Sequence, residues 1–161
     1  MTKEEAEVVL RNEWDLLKKS GLLSQIGCSA GPVKITKGIY NLFKWKALMK
    51  APEASPYKGY LFQFEINFPE DYPNSAPTVY CKTDMYHMNI NTDGRVCVDS
   101  VNSDWGRAKN INTVLFSIFV IFSKPNPLSP YRGEIAKLYT ENREEYEKNV
   151  REHCAKHAIK I

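Results

Sequence analysis

Residues 85–105 read MYHMNINTDGRVCVDSVNSDW, a polar segment with almost no hydrophobic periodicity. It contains one cysteine, Cys97, and both His87 and Asn89 lie upstream of it. A long irregular segment inside a compact domain is uncommon and is often functional. The first question is therefore whether Cys97 is a nucleophile, a metal ligand or an inert thiol.

The residues alone leave the role of Cys97 open. Its neighbours Asp93 and Arg95 are polar, whereas a structural cysteine usually lies in an apolar strand or helix. Reactive thiols occur in exposed polar settings, and His87 could act as the base of such a thiol. Nothing else marks a cysteine peptidase. Cys97 is thus either reactive or inert on this reasoning.

The cysteine and histidine spacings do not predict a metal site. The chain has four cysteines without a CxxC pair, and the gaps between them fit no zinc pattern. His153, Cys154 and His157 could supply ligands, but they lie at the end of a charged helix, where we expect no metal. No bound cofactor is expected either.

Upstream of this segment, the sequence predicts a helix and then strands. An amphipathic helix is expected at 3–19, beginning with a Thr2–Glu5 capping box, and GCSAGPV at 27–33 is predicted to be a loop. Period-two alternation predicts antiparallel strands. These strands lie within 41–52, at 60–68 and at 78–82, and a further hairpin is expected at 37–41.

Downstream of it, the sequence predicts helices. The apolar run at 113–123 indicates a buried helix capped by Asn112, and two more helices are expected at 132–139 and 141–157. The predicted fold is α+β, with a four-stranded antiparallel meander sheet, an N-terminal helix, a central buried helix and two C-terminal helices. Residues 1–161 are expected to form a single domain with no substantial extension at either end.

Composition indicates a protein of the cytoplasm or nucleus. The 161 residues are 43% hydrophobic and 25% charged, without a signal-peptide core or a run long enough for a bilayer. A net charge of +3 is too small to imply nucleic acid, and we expect a monomer that binds no membrane. The stretch between residues 34 and 58 is rich in lysine, and its one acidic residue is Glu53. We expect this basic patch to be a solvated sheet surface rather than a docking surface for an acidic partner.

A family resemblance adds to this interpretation. The segment YHMNINTDGRVCVD at 86–99 resembles the active-site segment of ubiquitin-conjugating enzymes, in which His-Pro-Asn precedes a cysteine eight residues after the Asn. FPEDYPNSAP and KPNPLSP resemble two further family segments, and Trp105 follows Cys97 by the family's eight residues. The similarity extends over residues 6–158 in order and spacing.

The resemblance implies a chemistry and a set of partners. Cys97 would take ubiquitin from the activating enzyme as a thioester and pass it to a substrate lysine or a ligase, while ATP is consumed by the activating enzyme. Asn89 would stabilise the oxyanion, although it could instead only shape the loop. His87 is expected to brace the loop rather than to act as a base. The implied partners are ubiquitin, the activating enzyme, ligases and protein substrates.

The chain departs from the family pattern at the acceptor entry. Met88 replaces a proline that would stiffen the turn. The acceptor-entry residues are Ser129, Asp99 and Leu128, and Leu128-Ser129 stands where many members have two acids. Direct transfer to lysine is therefore expected to be slow.

Other departures concern docking surfaces. Asn74 stands where several relatives present an aromatic residue to ligases, and Gly106-Arg107 replaces Ser-Pro after Trp105. The expected ligase-facing residues are Asn74, Trp105 and Arg107. Ser29 matches a position where some members bind a second ubiquitin non-covalently, although an ordinary loop serine is the favoured interpretation.

Two alternatives to ubiquitin conjugation remain. One is conjugation of another modifier. SUMO-dedicated members usually carry two extra residues between cysteine and tryptophan, which this chain does not have. NEDD8-dedicated members usually carry an N-terminal tail, whereas the first helix is predicted here from residue 3. The other is a ubiquitin-binding scaffold with weak catalysis, and the variants of that type lack the cysteine that is present here.

Overall fold

The computed structural model describes residues 1–97, 105–106 and 109–161, which form an antiparallel sheet and a set of α-helices. Within the described residues, the order of elements is two helices, four strands, three helices and a short strand, which confirms the predicted α+β class. No helix in these ranges is long and apolar enough to cross a membrane.

Four strands run as an antiparallel meander, and a short fifth strand joins them. They are β1 (Cys28–Thr36), β2 (Ile39–Lys50), β3 (Tyr60–Asn67), β4 (Thr78–Cys81) and β5 (Ile159–Lys160). The fifth strand pairs with the start of β3, where β4 does not reach. The predicted meander is confirmed, whereas a strand of two residues is too short to be detected from alternation.

The first strand shows that the prediction of a loop at 27–33 is wrong. β1 pairs with β2 from Cys28, which lies opposite Met49, onward. Gly31 and Pro32 suggest a turn in the sequence, but β1 lies at the sheet edge and its register shifts directly after Pro32. An edge strand tolerates the missing proline N–H at such an irregularity, so the strand continues.

The alternation in β2 and β3 places one face of the sheet in the core. The buried side chains of this face are Trp45, Ala47, Met49, Phe62, Phe64 and Ile66. On the other face, Lys44 forms an ion pair with Glu65 of β3 at 3.2 Å. Part of the basic patch is therefore neutralised from the neighbouring strand, which the linear sequence does not show.

Four of the described helices begin and end close to the predicted residues. They are α1 (Lys3–Lys19), α3 (Ile111–Ser123), α4 (Gly133–Glu141) and α5 (Arg143–His157). The short helix α2 (Leu22–Gln25) was not predicted. The Thr2–Glu5 capping box at α1 is confirmed. Asn110, rather than Asn112, caps α3, because its side chain accepts from the Thr113 N–H at 3.1 Å. Asn110 has the extended backbone that an N-cap requires, whereas Asn112 lies inside the first turn.

Candidate active site

The segment His87–Met88–Asn89 is buried, although the sequence around it is polar. The three side chains are 0%, 0% and 1% exposed, respectively. Arg132 holds the backbone of the segment, because its Nε donates to the carbonyl of Ile90 at 3.0 Å and its Nη2 donates to that of Met85. A guanidinium in a fixed plane can bind several carbonyls at once, which suits it to fasten an irregular turn.

His87 uses both ring nitrogens to hold backbone. Its Nδ1 accepts from the Asn89 N–H at 3.0 Å, so the ring proton is on Nε2, which donates to the carbonyl of Ile121 at 2.8 Å. The ring stacks on Tyr57, with centroids 5.8 Å apart. Burial lowers the pKa of His87 to about 4, and the nearby Arg132 charge acts in the same direction. This geometry suits the predicted bracing role and leaves neither nitrogen for a proton transfer.

Asn89 joins the segment to the loop that follows α3. Its Oδ1 accepts from the Asn126 N–H at 2.8 Å, and its Nδ2 donates to the Asn126 carbonyl at 2.9 Å. A longer contact of 3.5 Å joins Nδ2 to the carbonyl of Ser129. The amide therefore shapes the loop in this conformation, and the weak contact is the one that it could give up to a reacting oxygen.

A tight turn brings Cys97 back beside Asn89. The Gly94 N–H donates to the carbonyl of Asn91 at 2.9 Å, and the Cys97 N–H donates to that of Asn89 at 2.8 Å. Gly94 has φ 93°, and a Cβ there would lie 2.6 Å from the carbonyl oxygen of Cys81. Because no other residue fits this position without strain, the predicted Asp93-Gly94 turn has a steric basis.

The other three thiols lie in settings that oppose ionisation. Burial raises the pKa of Cys28 to about 11, and those of Cys81 and Cys154 to about 12. Cys97 is half-buried, and its backbone is fixed beside Asn89. A thiolate is the nucleophilic form of cysteine, so the fold disfavours the three alternatives to Cys97 as nucleophile.

Tyr131 is a residue of the site that the sequence did not indicate. Its N–H donates to the carbonyl of Met88 at 2.9 Å, and the N–H of Arg132 donates to the same carbonyl at 3.1 Å. The pKa of Tyr131 is raised first by burial and then by the proximity of Cys97. Tyr131 is nevertheless 40% exposed, so the phenol borders the Cys97 site. No motif marks this tyrosine, because the contact arises only when the two loops meet.

The acceptor-entry residues are exposed. The Leu128 side chain is 90% exposed, and Ser129 is exposed while its carbonyl faces Asn89. The segment 124–131 carries no acidic side chain. Asp99, the third predicted residue of this entry, lies outside the described residues.

The predicted docking residues differ in their exposure and in their contacts. Asn74 is exposed, whereas Trp105 is half-buried and its indole N–H donates to the carbonyl of Pro73 at 2.8 Å. Trp105 is thus held to the loop before β4. Ser29 is exposed on β1, which is a strand and not the expected loop. Arg107 lies outside the described residues.

Known proteins with similar sequences belong to one family. The family model described as ubiquitin-conjugating enzyme matches residues 11–154. The chain is also 39% identical over 119 residues to the probable ubiquitin-conjugating enzyme E2 L460 of Acanthamoeba polyphaga mimivirus, a match that covers 73% of this chain and 75% of that protein.

Proposed function

Since the chain belongs to the ubiquitin-conjugating enzyme family, we propose that its Cys97 carries ubiquitin as a thioester between the activating enzyme and an acceptor. The Cys97 thiolate attacks the thioester carbonyl on the activating enzyme, a new C–S bond forms, and the activating enzyme's thiol leaves. A thiol suits both steps because thiolates attack and leave readily. ATP is consumed by the activating enzyme, and the reaction takes place in the cytoplasm or nucleus.

The placement of Cys97 is the observation that carries the proposal. Its N–H is hydrogen-bonded to the carbonyl of Asn89 at 2.8 Å, whereas burial raises the pKa of each of the other three thiols. Asn89 and Cys97 keep the spacing that the family uses, so a thioester on Cys97 would form beside the Asn89 amide.

Their hydrogen bonds support the roles proposed for His87 and Asn89. His87 is neutral and fully engaged, so it positions Asn89 through the Asn89 N–H. Asn89 holds the 126–129 loop and, by turning Nδ2 away from the long contact with Ser129, donates to the oxyanion that forms during transfer. His87 is therefore a positioning residue, and Asn89 is a catalytic residue that also supports the loop.

The acceptor entry favours transfer to a thiol over transfer to a free lysine. An amine must lose a proton as it attacks, and its ordinary pKa is about 10.4. Neither Leu128 nor Ser129 can take that proton, because neither side chain carries a carboxylate or another base at neutral pH. A ligase cysteine ionises far more easily and needs no such help.

The experiment is a charging assay with each modifier. The chain is incubated with ATP and the cognate activating enzyme for ubiquitin, SUMO or NEDD8, and the products are run with and without reductant. We expect a reductant-sensitive adduct with ubiquitin that Cys97→Ala abolishes. Cys28→Ser is the matched control, because Cys28 is also half-buried, and it should charge normally.

Each other outcome contradicts a stated part of the proposal. Charging with SUMO or NEDD8 in place of ubiquitin would identify a different modifier. Normal charging of Cys97→Ala would show that another thiol carries the adduct. Binding of ubiquitin without any adduct would identify a scaffold.

A further inference from the structure

Two histidines and an aspartate meet on the side of the molecule formed by α5. His153 and His157 are four residues apart in α5, and their ring centroids lie 4.3 Å apart. Asp84 comes from the segment between β4 and His87, and its Oδ1 is 2.9 Å from Nε2 of His153. The ligand atoms of the three residues all lie within 4.8 Å of one another.

We propose that Asp84, His153 and His157 bind a divalent transition-metal ion of the zinc type. Two imidazoles and a carboxylate are ligands that Zn²⁺ accepts, and imidazole also suits Ni²⁺ and Cu²⁺. Two histidines at helical spacing of four present their nitrogens on one face, as metal-binding helices require. Three protein ligands leave a further coordination position for water.

The geometry needs only small adjustments to close around an ion. Ligands bound to tetrahedral zinc at about 2.0 Å lie roughly 3.3 Å from one another. Asp84 and His157 are both exposed, so their side chains can rotate to shorten the longest separation. His153 is partly buried and already directed at Asp84, which fixes one edge of the site in advance.

The structure also excludes one of the ligands considered from sequence. Cys154 is 2% exposed, because adjacent residues of a helix face different directions and this one faces the core. The third ligand is instead Asp84, which is 69 residues from His153 in sequence. This is why the spacing of the histidines and cysteines does not predict the site.

An ion bound here would fasten α5 to the segment that enters the active site. Asp84 lies three residues before His87, and the ring of Tyr86 lies 6.1 Å from that of His153. The Nδ2 of Asn149 also donates to the hydroxyl of Tyr86 at 3.4 Å. The metal would add a strong crosslink to a contact between α5 and residues 84–86 that the fold already makes.

The test is titration of the full chain with ZnCl₂, and separately with NiCl₂, by isothermal calorimetry. We expect saturable binding of one ion per chain. His157→Gln, His153→Gln and Asp84→Asn should each weaken it by at least about 10–100-fold, the loss typical even of an outer-shell partner. Glu152→Gln is the matched control on the same helix, and its affinity should equal that of the unmodified chain.

A second measurement identifies the ligands directly. In ¹⁵N spectra of the histidine rings, the signals of His153 and His157 should shift with added metal, while those of His87 should not. His157 is exposed, so His157→Gln tests the site even if His153→Gln unfolds. The proposal is overturned if the unmodified chain binds neither ion, if His157→Gln binds with unchanged affinity, or if alkylation of the thiols abolishes binding.

Discussion

Replacement of Asn89 by alanine tests whether one side chain both supports the loop and takes part in transfer. In the structure, the Asn89 amide makes two short hydrogen bonds to the backbone of Asn126, at 2.8 and 2.9 Å, and is 1% exposed. Alanine removes both bonds and leaves the two Asn126 backbone groups without these partners. It also removes the donor proposed for the oxyanion.

The expected loss of stability follows from these contacts. A buried group that loses its partner costs about 1–3 kcal/mol, and the lower half of that range applies because Asn126 is half-buried. Two such groups give a loss of roughly 2–4 kcal/mol in the free energy of unfolding. For a chain of this size, that corresponds to a fall of about 4–16 °C in melting temperature.

The expected loss of activity is larger. Removal of one oxyanion donor typically lowers the rate by about 10²–10³-fold. Purified enzyme–ubiquitin thioester is mixed with free lysine in single-turnover assays, well below both melting temperatures. Charging by the activating enzyme, measured separately, should decline less than discharge if Asn89 acts on the acceptor step.

A second asparagine provides the matched control. Asn110→Ala removes the N-cap of α3 and should cost about 1 kcal/mol of stability. It should leave discharge unchanged, because the cap is not part of the active site. An unchanged melting temperature for Asn89→Ala would refute the loop-holding role, and an unchanged discharge rate would refute the catalytic one.

Four further predictions concern single residues of the same site. Cys97→Ser should form an adduct with ubiquitin that reductant does not cleave, which gel electrophoresis detects, because an ester replaces the thioester. Ser129→Asp should speed discharge to free lysine, most clearly below about pH 8, where unprotonated amine is scarce; an unchanged pH profile would show that the acid is not limiting. As the pH falls from 6.5 to about 4, the histidine takes up a proton in the unfolded chain, whereas buried His87 in the folded chain stays neutral. The free energy of unfolding, measured with urea, should therefore fall by roughly 3 kcal/mol over this range, and His87→Gln should reduce that fall. Met88→Pro should lower the unfolding free energy by about 1 kcal/mol or more, because the loss of a fully buried side chain exceeds the entropy gained; a more stable variant would contradict this.

Local patterns predicted the elements whose periodicity is strong. The helix at 3–19 and the alternating strands β2 and β3 each bury a regular set of positions, and regular burial is what periodicity reports. The strand β1 was missed because Gly31 and Pro32 resemble a turn, and only the pairing with β2 overrides that local signal. Elements that depend on a neighbour are therefore the ones that a linear pattern misplaces.

The candidate site likewise contains residues that a sequence motif identifies and residues that only the folded structure brings together. His87, Asn89 and Cys97 lie close together in sequence, so a motif could identify them. Asn126 and Arg132 contact them from 35 or more residues away, and Tyr57, which stacks on His87, lies 30 residues before it in sequence. Motif spacing carries no information about such partners, because their positions are determined by the packing of whole elements.

Met88 shows how tertiary contacts can replace a local constraint. A proline would restrict the backbone of the unfolded chain and so raise the free energy of unfolding by at most about 1 kcal/mol. Met88 gives up that restriction, but its side chain is 0% exposed, and burial of a methionine contributes about 1.5–3 kcal/mol. Its carbonyl accepts two backbone N–H groups from residues 131–132, and Arg132 binds the carbonyls on either side of it. Rigidity at this position is therefore supplied by the folded structure rather than by the residue's own torsion angles, so it depends on α4 remaining docked.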